Sequence, residues 1–178
     1  VATAATLIQG AAHPIILAGE IIAFEEAYAE LQSLAAATGA GVITAYRQQD
    51  IFPNDHEAYF GQLTLNRLPY QKESWDACDL VINIGCRLDS ATSADYSLIR
   101  DDQKMIMAYP DASVFSQWQP DVAMGANAKP AMAAITDALT NFTPPAGRLA
   151  WRDTIHAKET AFAEPGEITV QGDVDLAQ

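Results

Sequence analysis

Four short runs carry consecutive rather than alternating apolar residues: 14–18, 41–44, 79–84 and 104–108. A strand with one solvated face alternates apolar and polar; a strand apolar throughout needs cover on both faces. That requirement points to a parallel sheet sandwiched between helices. The residues between the first two runs meet it. Ile21, Phe24, Tyr28, Leu31 and Ala35 recur at steps of three and four, widened by Ala27 and Leu34. They predict a single helix over 21–35, with Gly39 as its stop. Strand, helix and strand in about thirty residues is a βαβ unit, whose crossover is right-handed in nearly all proteins.

The rest of the chain repeats the alternation. Residues 45–66 read as irregular, punctuated by Pro53, Asn54, Asp55 and Gly61, with Tyr59 and Phe60 as a short edge strand. Pro69 suits the start of a helix to about Ala77, and Pro130 the first turn of a helix over 129–139. A polar loop spans 87–102, and 122–124 forms a last short strand. The expectation is a Rossmann-like, doubly wound α/β fold of about six strands with helices on both faces. Past Leu139 the pattern changes: Pro144, Pro145 and Gly147 mark a linker, 149–162 can form a helix, and 164–178 is acidic. The division expected is therefore 1–142 and 143–178.

Composition narrows the function. Ten Lys and Arg against 23 Asp and Glu give a net charge of −13. Such a surface repels phosphate backbones and excludes a nucleic-acid role. No apolar run approaches the roughly 20 residues needed to span a bilayer. With no basic leader at its start, the chain is expected to be cytoplasmic. Cys78 and Cys86 are too few for a disulfide framework and are read as buried bystanders.

In an open doubly wound sheet, ligands bind outside the carboxyl ends of the strands where the strand order reverses. The candidates are the residues that end strands: Gly19 and Glu20, Thr44, Gly85, Cys86 and Arg87, and Tyr109. Glycine there lets a ligand approach the backbone, and Arg87 offers a planar fork to a phosphate or carboxylate. The plainer alternative is that both glycines make tight turns and Arg87 pairs with Asp89 or Asp95. No GxGxxG follows the first strand, and neither GxSxG nor GxxxxGK[ST] occurs. His13, His56 and His156 form no metal-ligand spacing. Asn54 to Glu57 reads as a turn with a helix cap rather than a metal loop. Asp101 and Asp102 read as solvated, and Trp151 and Phe162 as packing residues.

Several of these segments, taken together and in order, resemble one family. Pro14 to Gly19, Gly41 to Thr44, Phe52 to His56 with Tyr59 to Gly61, and Asp79 to Leu88 are similar to the central domain of thiamine-diphosphate enzymes. The acetolactate synthase-like group is the nearest, and Tyr46 to Pro53 fits one of its branches. The likeness covers about residues 10–140, and Gly172 to Leu176 is similar to the lead-in of the pyrophosphate-binding domain.

The resemblance implies a sheet order of 3-2-1-4-5-6 and three domains in the parent enzyme. The flanking domains would hold thiamine diphosphate and Mg²⁺, leaving this chain without catalytic residues of its own. Parent enzymes of this kind are homo-oligomers that make or break carbon–carbon bonds beside a carbonyl, on pyruvate or another 2-oxo acid. Central domains of the family bind FAD, ADP or a CoA-type nucleotide, or nothing. Gly85, Cys86 and Arg87 occupy the place of a flavin-contacting Gly-Ala-Arg. Against FAD, Gly61 to Leu65 departs from the usual glycine-rich stretch, and Tyr109 stands where an Asp is expected, leaving only Asp111. The reading favoured is a scaffold and subunit-packing domain with no cofactor of its own; the alternative is a working FAD or ADP module. A free-standing NAD-dependent deacetylase is disfavoured, because neither His13 nor His56 has a catalytic context.

Overall fold

The computed structural model describes residues 1–63 and 67–164. Six strands, β1 (Pro14–Ala18), β2 (Gly41–Thr44), β3 (Tyr59–Gln62), β4 (Leu80–Ile84), β5 (Lys104–Ala108) and β6 (Val122–Met124), form one sheet. Every pairing is parallel, as the apolar runs predicted, and the order β3-β2-β1-β4-β5-β6 is the one the resemblance implied. All residues of β1, β2 and β4 are buried, which is why these strands lack alternation.

One sheet face packs Ile16, Val42, Ile82 and Ile106 against α1 (Ala2–Gly10), α2 (Glu20–Phe24), α3 (Tyr28–Thr38) and α6 (Ala128–Ala138). The other packs Ile15, Leu17, Ile43, Val81 and Met107 against α4 (Pro69–Ala77), α5 (Phe115–Trp118) and α7 (Ala146–Ala163). Register places Ile16, Val42 and Ile82 side by side and alternates the two sets strictly along each strand.

Two local expectations are corrected. The helix predicted over 21–35 is two helices, α2 and α3, broken where Glu26 takes a left-handed φ of 50°. The break frees the Glu25 carboxylate to accept the Lys129 N–H at 2.8 Å, in the first turn of α6. A carboxylate there satisfies an orphan amide and suits the helix dipole. It also turns Phe24 outward, 82% exposed, where the periodicity had placed it in the core. Second, the turn at Asn54–Asp55 leads directly into β3 and caps no helix; the His56 ring instead accepts the Ala58 N–H at 3.1 Å. The sequence reading also missed α1, whose Ala4, Ala5 and Ile8 are buried.

Arg148 fixes α7 to the body. Its guanidinium is buried, 2% exposed, and donates to the Thr38 carbonyl at the end of α3 and to the Ile8, Gln9 and Ala11 carbonyls at the end of α1. One cation thus serves the unpaired carbonyls of two helix C-termini, the ends that favour positive charge. Trp151 follows one turn later, edge-on to Phe60 and beside His13, and Ile155 enters the second-face core. The stretch 165–178, including Gly172 to Leu176, lies outside the described residues.

Candidate functional site

The strand-end residues converge at the carboxyl rim of the sheet, as strand order requires. There several main-chain amides are taken up by neighbouring strand ends. Gly19 N–H donates to Ile84 O at 2.9 Å, Gly85 N–H to Ala108 O at 2.9 Å, and Ala45 N–H to Ala18 O at 2.8 Å. The Ile21 N–H, in the first turn of α2, donates to Gly85 O at 3.1 Å. In a dinucleotide fold, the helix after the first strand turns its free amides toward the pyrophosphate. Here one such amide is taken, and the first helical residue is the anionic Glu20.

The glycines serve the chain's own packing. A Cβ on Gly19 would lie 2.3 Å from the Cys86 Cα, so the turn after β1 and the turn after β4 are in main-chain contact. Gly85 has φ +65, a conformation costly to any side chain, and a Cβ added there would lie 2.8 Å from the Ile21 Cβ. Cys86 is buried between the two turns, and its carbonyl accepts Asn83 Nδ2 at 2.9 Å. Burial pushes its thiol well above the ordinary range.

Tyr109 and Glu20 close the rim from above. The Tyr109 hydroxyl donates to Glu20 Oε1 at 3.0 Å, joining the residue after β5 to the first residue of α2, across the end of β4 that separates β5 from β1. Burial, and then the hydrogen bond to Glu20, push the phenol up to about 12. Thr44 is fully buried, and its Oγ1 has no hydrogen-bond partner among the described residues.

Arg87 is the exception. It is exposed and makes no ion pair with Asp89 or Asp95. It lines a cleft of about 370 Å³ with Asp89, Tyr96, Ser113 and Gln117. Nothing in the sequence pointed to Tyr96. It ends three consecutive left-handed residues, Ala94, Asp95 and Tyr96, none of them glycine. Hydrogen bonds hold that turn: Asp95 N–H to Ser90 O, Tyr96 N–H to Ser93 Oγ, and Leu98 N–H to Ser93 O. The Leu98 carbonyl accepts Trp75 Nε1 at 2.6 Å, locking the loop to α4. Left-handed residues without glycine cost about 1–2 kcal/mol each, and only such over-determined contacts sustain them.

The three histidines each turn a ring nitrogen to a nearby main-chain group. His13 Nδ1 faces Ala77 O, and His156 Nδ1 faces Tyr59 O. Among the described residues no three His, Cys, Asp or Glu side chains come together to hold a metal ion. No helix there is long and apolar enough to cross a membrane.

Comparison with known proteins matches this architecture to one profile. That of the thiamine pyrophosphate enzyme central domain matches residues 1–135. An acetolactate synthase of Mycobacterium avium is 26% identical over 136 residues, covering 76% of this chain and 22% of that protein. A sulfoacetaldehyde acetyltransferase of Rhodobacter capsulatus is 33% identical over 86 residues, covering 48% of this chain and 15% of the relative. A solved structure from Mycobacterium smegmatis, described as that of a candidate thiamin diphosphate-dependent enzyme, superposes with a TM-score of 0.67 at 20% identity. It covers 82% of this chain and 28% of that one, and at that identity it speaks for the fold. The chain thus spans less than a third of the length of each of these proteins.

Proposed function

The chain belongs to the thiamine pyrophosphate enzyme central-domain family, and from that premise we propose that it is the scaffold domain of an acetolactate synthase-like enzyme. It positions the flanking pyrimidine- and pyrophosphate-binding domains and contributes to subunit packing in a cytoplasmic homo-oligomer. Residues 1–142 form the domain proper in this reading, and 143–178 lead toward the pyrophosphate-binding domain. The whole enzyme acts on 2-oxo acids as a transferase or lyase.

In this reading the other domains would hold thiamine diphosphate and Mg²⁺, which would supply the electron sink that such bond-making requires. The described residues offer no metal-ligand cluster, and no chemical step is assigned to them. Their work is geometric: a rigid parallel sheet fixes where its two ends lead, and positioning of this kind lowers barriers by pre-ordering the reacting parts.

The observation that carries the scaffold reading is the self-closure of the carboxyl rim. Gly19 meets the Cys86 main chain, and Tyr109 bonds Glu20 over the end of β4. A nucleotide phosphate entering there would meet the Glu20 carboxylate, with the Ile21 amide already given to Gly85 O. The test is a thermal-shift titration of the chain with FAD, ADP and CoA. No rise in Tm is expected from any of them. A ligand bound only by the folded chain adds about 2.7 kcal/mol at a hundredfold excess over Kd, a shift of several degrees at this size.

A second reading has its own support. Exposed Arg87, in a cleft with Tyr96 and Ser113, fits a working FAD or ADP module. A saturable rise with either nucleotide, abolished by Arg87→Ala, would replace the scaffold reading with this one.

A further inference from the structure

We propose that the cleft between the second half of α7 and the turn at 54–59 binds a small organic cation carrying a primary ammonium or guanidinium group, with Glu159 as its countercharge. Glu159 is 9% exposed and lines this cleft of about 530 Å³ together with Asp55, Tyr59, His156 and Thr160. It makes no hydrogen bond or ion pair with any described residue. Its oxygens are not sealed from the cleft, so a cation entering there meets a largely buried carboxylate that no described cation neutralises.

The cations on α7 are engaged elsewhere. Arg148 is spent on the carbonyls of α1 and α3. Arg152 pairs with Glu57 and Asp153, and Lys158 with both oxygens of Glu73. His156, one turn before Glu159, favours its ionised form, yet its Nδ1 is turned to the Tyr59 carbonyl at 3.0 Å. Burial outweighs it and raises the Glu159 pKa.

The lining selects the ligand. Neither Lys nor Arg lines the cleft, whereas two carboxylates, the Tyr59 phenol and the Thr160 hydroxyl do. An ammonium brings three N–H donors and a guanidinium five, and both need such oxygens around them. A bare divalent ion needs more ligands, and the described residues bring no three metal-ligating groups together. The Tyr59 ring and Ala163 offer apolar surface to an alkyl stem.

The test uses the 178-residue chain and backbone amide shifts at Asp55, Tyr59 and Thr160, titrated at constant ionic strength. n-Propylammonium should give saturable shifts and tetramethylammonium, which has no N–H, none. Glu159→Gln should weaken n-propylammonium by about tenfold or more, as loss of a buried charge partner does. Nα-acetyl-lysine amide separates the two sources of the group. Comparable binding assigns a protein side chain as the occupant, and binding of n-propylammonium alone assigns a free amine. Non-saturable shifts, an equal response to tetramethylammonium, or full affinity in Glu159→Gln would overturn the proposal. If that variant folds poorly, Asp55→Asn on the exposed turn serves instead: a loss of about threefold is expected, and unchanged affinity overturns the site.

Discussion

Tyr109 and Glu20 stand 89 positions apart, yet the phenol of one donates to the carboxylate of the other at 3.0 Å. The bond bridges β5 to β1 over the end of the strand between them, at the place where related folds admit their ligand.

This bond makes the domain sensitive to alkali. The Tyr109 phenol is pushed up to about 12 in the folded chain, and burial also raises Tyr59 and Tyr70. Phenols whose folded pKa exceeds the unfolded value of about 10 favour folding while protonated. Their contribution is complete below pH 10 and is lost as the pH rises toward 12. Urea midpoints measured across that window should fall, and Tyr109→Phe should flatten the decline. An unchanged slope in the variant would remove Tyr109 from the account.

Gly19→Ala should destabilise the chain by about 3 kcal/mol, the upper range for overpacking. The new Cβ meets main chain at Cys86, which cannot turn aside as a flexible side chain can. Gly147→Ala is the control: it lies in the first turn of α7 with nothing within 4 Å of its Cβ. There Ala should stabilise by about 0.5–1 kcal/mol through helix propensity. Urea unfolding of both variants decides it, and equal effects would refute the packing argument.

Arg148→Met should release α7. It leaves the carbonyls at Thr38, Ile8 and Ala11 without their donor, at a cost of about 3 kcal/mol. Hydrogen exchange of the α7 amides should accelerate before the sheet does. Should α7 exchange as slowly as in the parent, Ile155 and Trp151 suffice to dock it and Arg148 is dispensable.

Both thiols should be silent in the native state. Burial pushes Cys78 up to about 12 and raises Cys86 further, and the thiolate is the reactive form. A disulfide reagent at pH 8 should label neither until denaturant is added; rapid labelling of the folded chain would show that one of them is reachable.

The sheet was legible in the sequence because doubly covered strands leave a local signature. Residues 14–18, 41–44 and 104–108 needed no partner to identify them, while their order in the sheet came only from the family resemblance. The helix over 21–35 was misread because periodicity counts apolar spacing and does not register the left-handed turn at Glu26. With the helix broken there, the Glu25 carboxylate reaches an amide 104 positions away, at Lys129, and Phe24 is left exposed.

The candidate site divides along the same line. Sequence alone brought Gly19, Glu20, Thr44, Gly85, Cys86, Arg87 and Tyr109 to one rim, since each ends a strand and parallel strands end together. Whether the rim is open depends on distances between turns remote in the chain, and only the folded structure sets those. Gly19 is small because Cys86 is there, Arg148 is buried because two helices end beside it, and Glu159 lacks a cation because its helix mates took other partners. Local patterning fixes the elements, since their hydrogen bonds and apolar faces are written within a few residues. Which polar groups are paired and which are left over is decided by long-range packing, where each contact depends on all the others.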